Sequence, residues 1–326
     1  MMIGQVNREN WVESFDAENT RKNVKSSLLQ LDSFYQNSKA NEQEVFDFLK
    51  KSDEVEVYFT LRDIANFLQT QVGFNTAKLY FNYIKMWYRE NRIVFEDRRL
   101  NTYLKWKRPL RERKYTPNDG VLNQIILSSK EKYQSFWLFL MSTGCRQGEA
   151  LQLKVKDIDV TTSPVKVHFP AEITKTRQER IGFLTREASN ALQYRLGNDP
   201  EKRVFHDITA SGLHKAMNTI RKKIGQDDKF STNRAKLTPH RFRAHYKKIM
   251  DRIVSSDFSH FMLGHAGALS TYDGDNDEGI REDFLKAENA LTIDLKRKFQ
   301  EEKRKNDDLS ERIKKIEEQI RKDLTT

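Results

Sequence analysis
The sequence predicts a mainly α-helical protein with one small antiparallel β-hairpin, divided into two domains by a basic segment. Three observations carry that expectation. Apolar residues recur at steps of three and four along most of the chain. Two short segments, 165–169 and 180–184, have the composition of paired strands. Between the helical regions, the stretch KWKRPLRERKYTPND crowds basic residues around Pro109 and Pro117 and keeps no hydrophobic period. With 326 residues the chain is long enough to bury two cores.

Taken in order, residues 1–106 read as a helical domain, with Leu28, Leu31, Phe34 and Tyr35, then Val45, Phe46, Phe48 and Leu49, at helical spacing. Its last strong helix, 75–91, mixes Leu79, Tyr80, Tyr83, Ile84, Trp87 and Tyr88 with Lys78, Lys85 and Arg89. Those aromatics suit a core and a basic, aromatic binding face equally well. Residues 107–116 read as a linker, either a solvated charge run or a strap along a polyanion.

A second domain, 117–290, opens with VLNQIILSS and then YQSFWLFLMSTG, the most apolar helix of the chain, ending at Gly144. The two strands follow, joined by EITKTRQE, and helices resume from about residue 209. From 291 to 326 the chain is nearly all charged, yet Leu291, Leu295, Phe299, Leu309, Ile313, Ile316, Ile320 and Leu324 fall at steps of mostly three and four. This is an amphipathic helical tail, suited to its own domain or to a neighbouring protomer.

A formal net charge of +11 makes a polyanion the natural partner. The single cysteine, Cys145, excludes an internal disulfide and a multi-cysteine zinc site, and reads as a small buried filler. No apolar run of 18 residues and no apolar signal core at the N-terminus point to a membrane, so a cytoplasmic protein is expected. GxxxxGK[ST], GxGxxG and HExxH are absent. The pairs His240/His245 and His260/His265 are five apart, without helical metal-pair spacing. No metal and no cofactor are expected.

Three segments carry cationic and proton-transferring side chains: TGCRQGEALQL, EITKTRQER, and TPHRFRAHY followed by LGHAGALSTY. Together they resemble the active site of the tyrosine recombinases, the family of the phage integrases and the Xer- and Cre-type proteins. The first segment is similar to the family's first box, with Arg146 and, three residues on, Glu149. Lys175 lies in the expected hairpin turn, with Lys166 and Arg177 as weaker substitutes. His240 and Arg243 match His-x-x-Arg-His, although Ala244 stands where the last histidine belongs. Leu263, Gly264 and His265 match Leu-Gly-His, and Tyr272 is the expected nucleophile. Tyr272 follows His265 by seven positions, where nine is commoner in bacterial members. This divergent spacing, with STYDG, suggests an archaeal virus or plasmid.

The resemblance implies a two-domain DNA clamp whose N-terminal bundle binds DNA, acting on double-stranded DNA at a specific site as a homo-oligomer, a tetramer on paired sites. Lys78, Lys85, Lys105, Lys107, Arg108, Arg111, Arg113 and Lys114 are the candidate DNA-binding residues. The residue types suit the chemistry independently of the family. Arg146 and Arg243 would neutralise charge developing on a phosphodiester. A phenol of ordinary pKa near 10 needs a proton acceptor, for which His240 is best placed. Lys175 would protonate the leaving 5′ oxygen. His265 would bond the phosphate or buttress the nucleophile, and Glu149 would orient cationic neighbours. A type IB topoisomerase and a catalytically inactive DNA-binding protein are the alternatives.

Overall fold
The structure, a computed structural model, describes residues 7–110, 112–265 and 277–293. It is mostly helical with one three-stranded antiparallel sheet, as the sequence predicts. The chain divides into two compact units at the Glu112–Arg113 bond.

The first unit contains α1 (Arg8–Glu13), α2 (Glu18–Asn37), α3 (Glu42–Leu49), α4 (Glu54–Gln71), α5 (Phe74–Glu90) and α6 (Asp97–Tyr103). Asn7, Asn41 and Asp53 cap their helices by accepting N–H groups that have no partner in a first turn. Val24, Leu28, Leu31 and Tyr35 of α2 meet Ala77, Phe81, Ile84 and Tyr88 of α5, and α4 adds Leu61, Ile64 and Leu68. Trp87 and Tyr88 are fully buried, so these two aromatics of α5 are core residues. Tyr35 and Tyr88 share a hydrogen bond of 2.8 Å there.

Residues 104–110 and 112–118 form no helix or strand. The first part is fastened to α4: the Gln69 side chain donates to the Lys105 carbonyl and accepts from the Lys107 N–H. Trp106 packs edge-on against Phe74 and Phe81.

The second unit contains α7 (Asp119–Leu127), α8 (Glu131–Thr143), α9 (Gln147–Ala150), α10 (Arg186–Leu192), α11 (Ala210–Lys223), α12 (His240–Ile253), α13 (Ser256–Met262) and α14 (Asp277–Leu291). Its strands are β1 (Ile158–Asp159), β2 (Lys166–Phe169) and β3 (Arg180–Phe183), in that order across the sheet. Every residue of α8 from Ser135 to Thr143 is buried, because a helix apolar on all sides must be central. Around it pack α7, α10, α12 and α14. Ser142 fastens the hairpin to α8: its hydroxyl donates to the Phe183 carbonyl and accepts from the Thr185 N–H.

The sequence reading left out α10 and β1. The apolar positions of α10 are mainly alanines, Ala188 and Ala191, and β1 is two residues long. Leu291 and Ile293, read as the start of the tail, are buried in this unit, where the Ile293 N–H donates to Glu187. The rest of the expected tail lies outside the described residues. No described helix is long and apolar enough to cross a membrane.

Candidate active site
Gly144 ends α8 in the left-handed region, at φ +60°, and aims the next residues away from the helix. A Cβ here would stand 2.5 Å from Tyr246 and 2.8 Å from Leu263, so close packing as well as backbone angle requires glycine. Two residues later Arg146 takes the N-cap position of α9. Its N–H donates to Glu149 at 2.9 Å, and its Nη1 donates to the other carboxylate oxygen at 2.7 Å.

Glu149 is buried and also accepts from Nη2 of Arg180, at the start of β3. Burial raises the pKa of this carboxyl, but Arg180 and Arg146 outweigh it and hold the pKa below its ordinary value. The guanidinium carbon of Arg180 lies 3.8 Å from the Phe169 ring centroid. Sequence reasoning missed Arg180. Its strand position says that it faces inward, but only the fold brings it to a carboxylate 31 residues away.

His240 opens α12, and Arg243 follows one turn on along the same face. Arg243 is buried and held by the main chain: Nη1 donates to the Gly144 carbonyl at 3.0 Å and Nη2 to the Leu263 carbonyl at 2.8 Å. Burial and the nearby Arg146 lower its pKa to about 10, which still leaves it charged at neutral pH. His240 is exposed at its edge, yet the protein packed beneath its ring, then Arg243, Arg241 and Arg146, lower its pKa. A neutral imidazole beside two guanidiniums is a proton acceptor.

Beyond α13, Gly264 adopts φ +62° and the chain closes in a Schellman turn. The Gly264 N–H donates to the Phe261 carbonyl and the His265 N–H to the His260 carbonyl. A Cβ on Gly264 would meet Arg180 at 2.9 Å. The turn sets His265 beside Arg243, whose Nη2 lies 3.1 Å from His265 Nε2. Burial, then Arg243, His260 and Arg146, lower the His265 pKa to about 4.

Arg146, His240, Arg243 and His265 thus line one open cleft, with Lys114 and Ala244 at its walls and Glu149 beneath. Ala244 leaves the position after Arg243 without a polar group. Lys175 is exposed in the turn between β2 and β3 and does not line the cleft. Of its substitutes, Lys166 is bound to Asp277 at 2.8 Å and Arg177 is exposed at φ +53°. Tyr272 and Arg111 lie outside the described residues. Tyr246, on the same helix as Arg243, is fully buried, and burial raises its pKa. The Cys145 thiol is likewise buried and pushed up to about 12, unsuited to acting as a thiolate.

Among the candidate DNA-binding residues, Lys105, Lys107, Arg108, Arg113 and Lys114 are exposed. Lys78 lies 5.5 Å from the Phe74 and Trp106 ring centroids. Lys85 is engaged by Asp97 at 2.7 Å and is largely covered.

Residues 120–272 match the sequence model of the Phage integrase family. The tyrosine recombinase XerA of Saccharolobus solfataricus is 30% identical over 152 residues, 45% of this chain. That match spans 47% of XerA, about half its length. Among solved structures, a lambda integrase dimer bound to a COC′ core site superposes with a TM-score of 0.58 at 14% identity. The superposition covers 81% of this chain and 93% of that one. The XerH site-specific recombinase bound to its difH substrate gives 0.51 at 17% identity, covering 80% and 78%. Residues 120–272 therefore carry a domain of the Phage integrase family.

Proposed function
We propose that this protein is a site-specific DNA recombinase that cleaves and rejoins strands through a 3′-phosphotyrosyl bond to Tyr272. The observation that carries the reading is the convergence of two fixed guanidiniums and two imidazoles of lowered pKa on one open cleft. Arg146 and Arg243 take the non-bridging oxygens, where negative charge grows as the phosphorus becomes five-coordinate. The Tyr272 oxygen attacks phosphorus and its proton passes to His240. The bond to the 5′ oxygen breaks, and Lys175, carried in on its hairpin, protonates that oxygen.

The phosphotyrosyl ester keeps the energy of the broken phosphodiester, so a 5′ hydroxyl from another strand reverses the step without ATP. Double-stranded DNA carrying the protein's own site is the substrate, and exchange between two sites calls for several copies, a tetramer on paired sites. Lys114 in the cleft wall would follow the DNA backbone, and the exposed Lys105, Lys107, Arg108 and Arg113 are further cations suited to phosphate contacts.

A nicked suicide substrate tests this reading. The wild-type protein is expected to become covalently attached to the 3′ phosphate. Tyr272→Phe, which removes one oxygen and leaves the phosphate clamp, is expected to bind DNA unchanged and to capture none. Covalent attachment by Tyr272→Phe rejects the nucleophile. Relaxation of supercoiled plasmid without any recombinant product assigns the chain to type IB topoisomerases instead. Cleavage is also expected to persist in EDTA, since arginines, lysine and histidines supply the charge that a metal would. Loss of cleavage on chelation, restored by magnesium, overturns that assignment.

A further inference from the structure
The strongest unassigned feature beside this cleft is a histidine pair. Nδ1 of His265 lies 3.1 Å from Nδ1 of His260, with the rings edge to face at 4.7 Å. The Schellman turn that ends α13 creates this contact, because it folds His265 back over the helical turn that bears His260. The direction of the bond follows from Arg243. A guanidinium only donates, so the His265 Nε2 that faces it must be bare. A neutral His265 then carries its proton on Nδ1, and among the described residues the acceptor that receives that N–H is a bare Nδ1 on His260. The tautomers of both rings are thereby ordered, from Arg243 through His265 to His260.

We propose that His260 is a positioning residue for cleavage: its Nδ1 accepts the Nδ1–H of His265, fixing that ring's orientation and tautomer so that Nε2 faces Arg243 and the cleft. This rests on the recombinase reading of the cleft. Free imidazole rings tumble and exchange tautomers, and a ring held at one nitrogen presents the other in a single direction. When a phosphate claims the Arg243 fork, the bare Nε2 of His265 is then placed to accept a hydrogen bond from the nucleophile's hydroxyl, with no tautomer change needed.

The surroundings agree with a neutral His265. From α12 the pair faces Arg243, Lys247 and Asp251, and from the segment before α9 it faces Arg146. Lys247 is already engaged by Asp251 at 2.7 Å and by Ser259. Cations predominate, and burial with Arg243 nearby lowers the pKa of His265, which disfavours a proton on its second nitrogen.

The test uses the full chain, labelled with nitrogen-15, and reads the histidine tautomers of the DNA-free protein by long-range proton–nitrogen correlation. In the wild type, His265 is expected with a protonated Nδ1 and a bare Nε2. A protonated Nε2 at neutral pH overturns the proposal without any variant. His260→Leu removes the acceptor. It is expected to give mixed His265 tautomers and to slow covalent capture by about ten- to a hundredfold, with DNA affinity within about twofold.

His260→Gln offers a carbonyl oxygen to the same N–H and is expected to restore the tautomer and most of the capture. An unchanged tautomer or unchanged capture in His260→Leu overturns the proposal. So does a loss in His260→Leu that His260→Gln does not repair, which marks a packing role. Failure of the wild type to attach to DNA overturns the recombinase reading instead, and the tautomer spectra are read independently of it.

Discussion
At the scale of single residues, the leverage in this site is held by groups that need never touch DNA. Glu149 and Arg180 are both almost fully buried, and each is the other's main compensation. Glu149→Ala leaves a buried guanidinium without its counter-charge and is expected to cost about 3–5 kcal/mol, read by chemical denaturation. The same carboxylate sets an acid limb. Its folded pKa lies below the ordinary 4.5, so its contribution is whole above pH 4.5 and is lost as pH falls through the lower folded value. Stability measured downward from pH 5 should therefore fall less steeply in Glu149→Gln than in the wild type. Tyr246 offers the opposite case, since its hydroxyl is buried with no hydrogen-bond partner among the described residues. Tyr246→Phe should be neutral or stabilising by about 1 kcal/mol, and it should leave covalent capture intact. Loss of capture in that variant would reopen the identity of the nucleophile.

At the scale of elements, helix ends place the chemistry. Arg146 follows the glycine end of α8, His240 opens α12, and His265 closes the turn after α13. Gly144→Ala forces a Cβ into Tyr246 and Leu263 at a left-handed φ, and is expected to cost about 2–4 kcal/mol and to reduce capture, although no charged group is altered. A melting temperature within a degree of the wild type would contradict that. Much of this was legible in the sequence. The apolar run before Gly144 and the strand pair around Lys175 are local patterns, set by period and by turn residues, whereas the Thr-Gly before Arg146 and the step from His240 to Arg243 were legible through the family resemblance. What could not be read was tertiary. Arg180 looked like any strand arginine until the fold set it on Glu149, and His260 and His265 seemed separated until the αL turn at Gly264 brought their rings together. In α10, alanine where leucine would announce a face kept the helix hidden.

At the scale of the whole molecule, the two units have separate cores, one around Leu31, Tyr58 and Trp87, the other around Trp137 and Phe242. Residues 113–326 alone are expected to unfold as a cooperative unit and to retain Tyr272-dependent cleavage. They should bind DNA more weakly and with a shallower salt dependence, because fewer phosphates are neutralised. Equal affinity and equal slope for the two forms would show that the first unit contributes no DNA contact. The C-terminal boundary is equally testable. Truncation after Ala290 removes Leu291 and Ile293 from the core and should lower stability by about 3–5 kcal/mol relative to truncation after Ile293, read in thermal melts.

The two carbonyl oxygens that hold Arg243 bear on how such a site ages. Every amino acid that could replace Gly144 or Leu263 brings the same main-chain oxygen, so no point substitution deletes the acceptors, although one can shift them by bending the trace. The aim of this arginine is inherited from the path of the backbone, and side chains around it are free to drift. Ala244 stands beside it, and both hydrogen bonds are made with that small apolar neighbour in place.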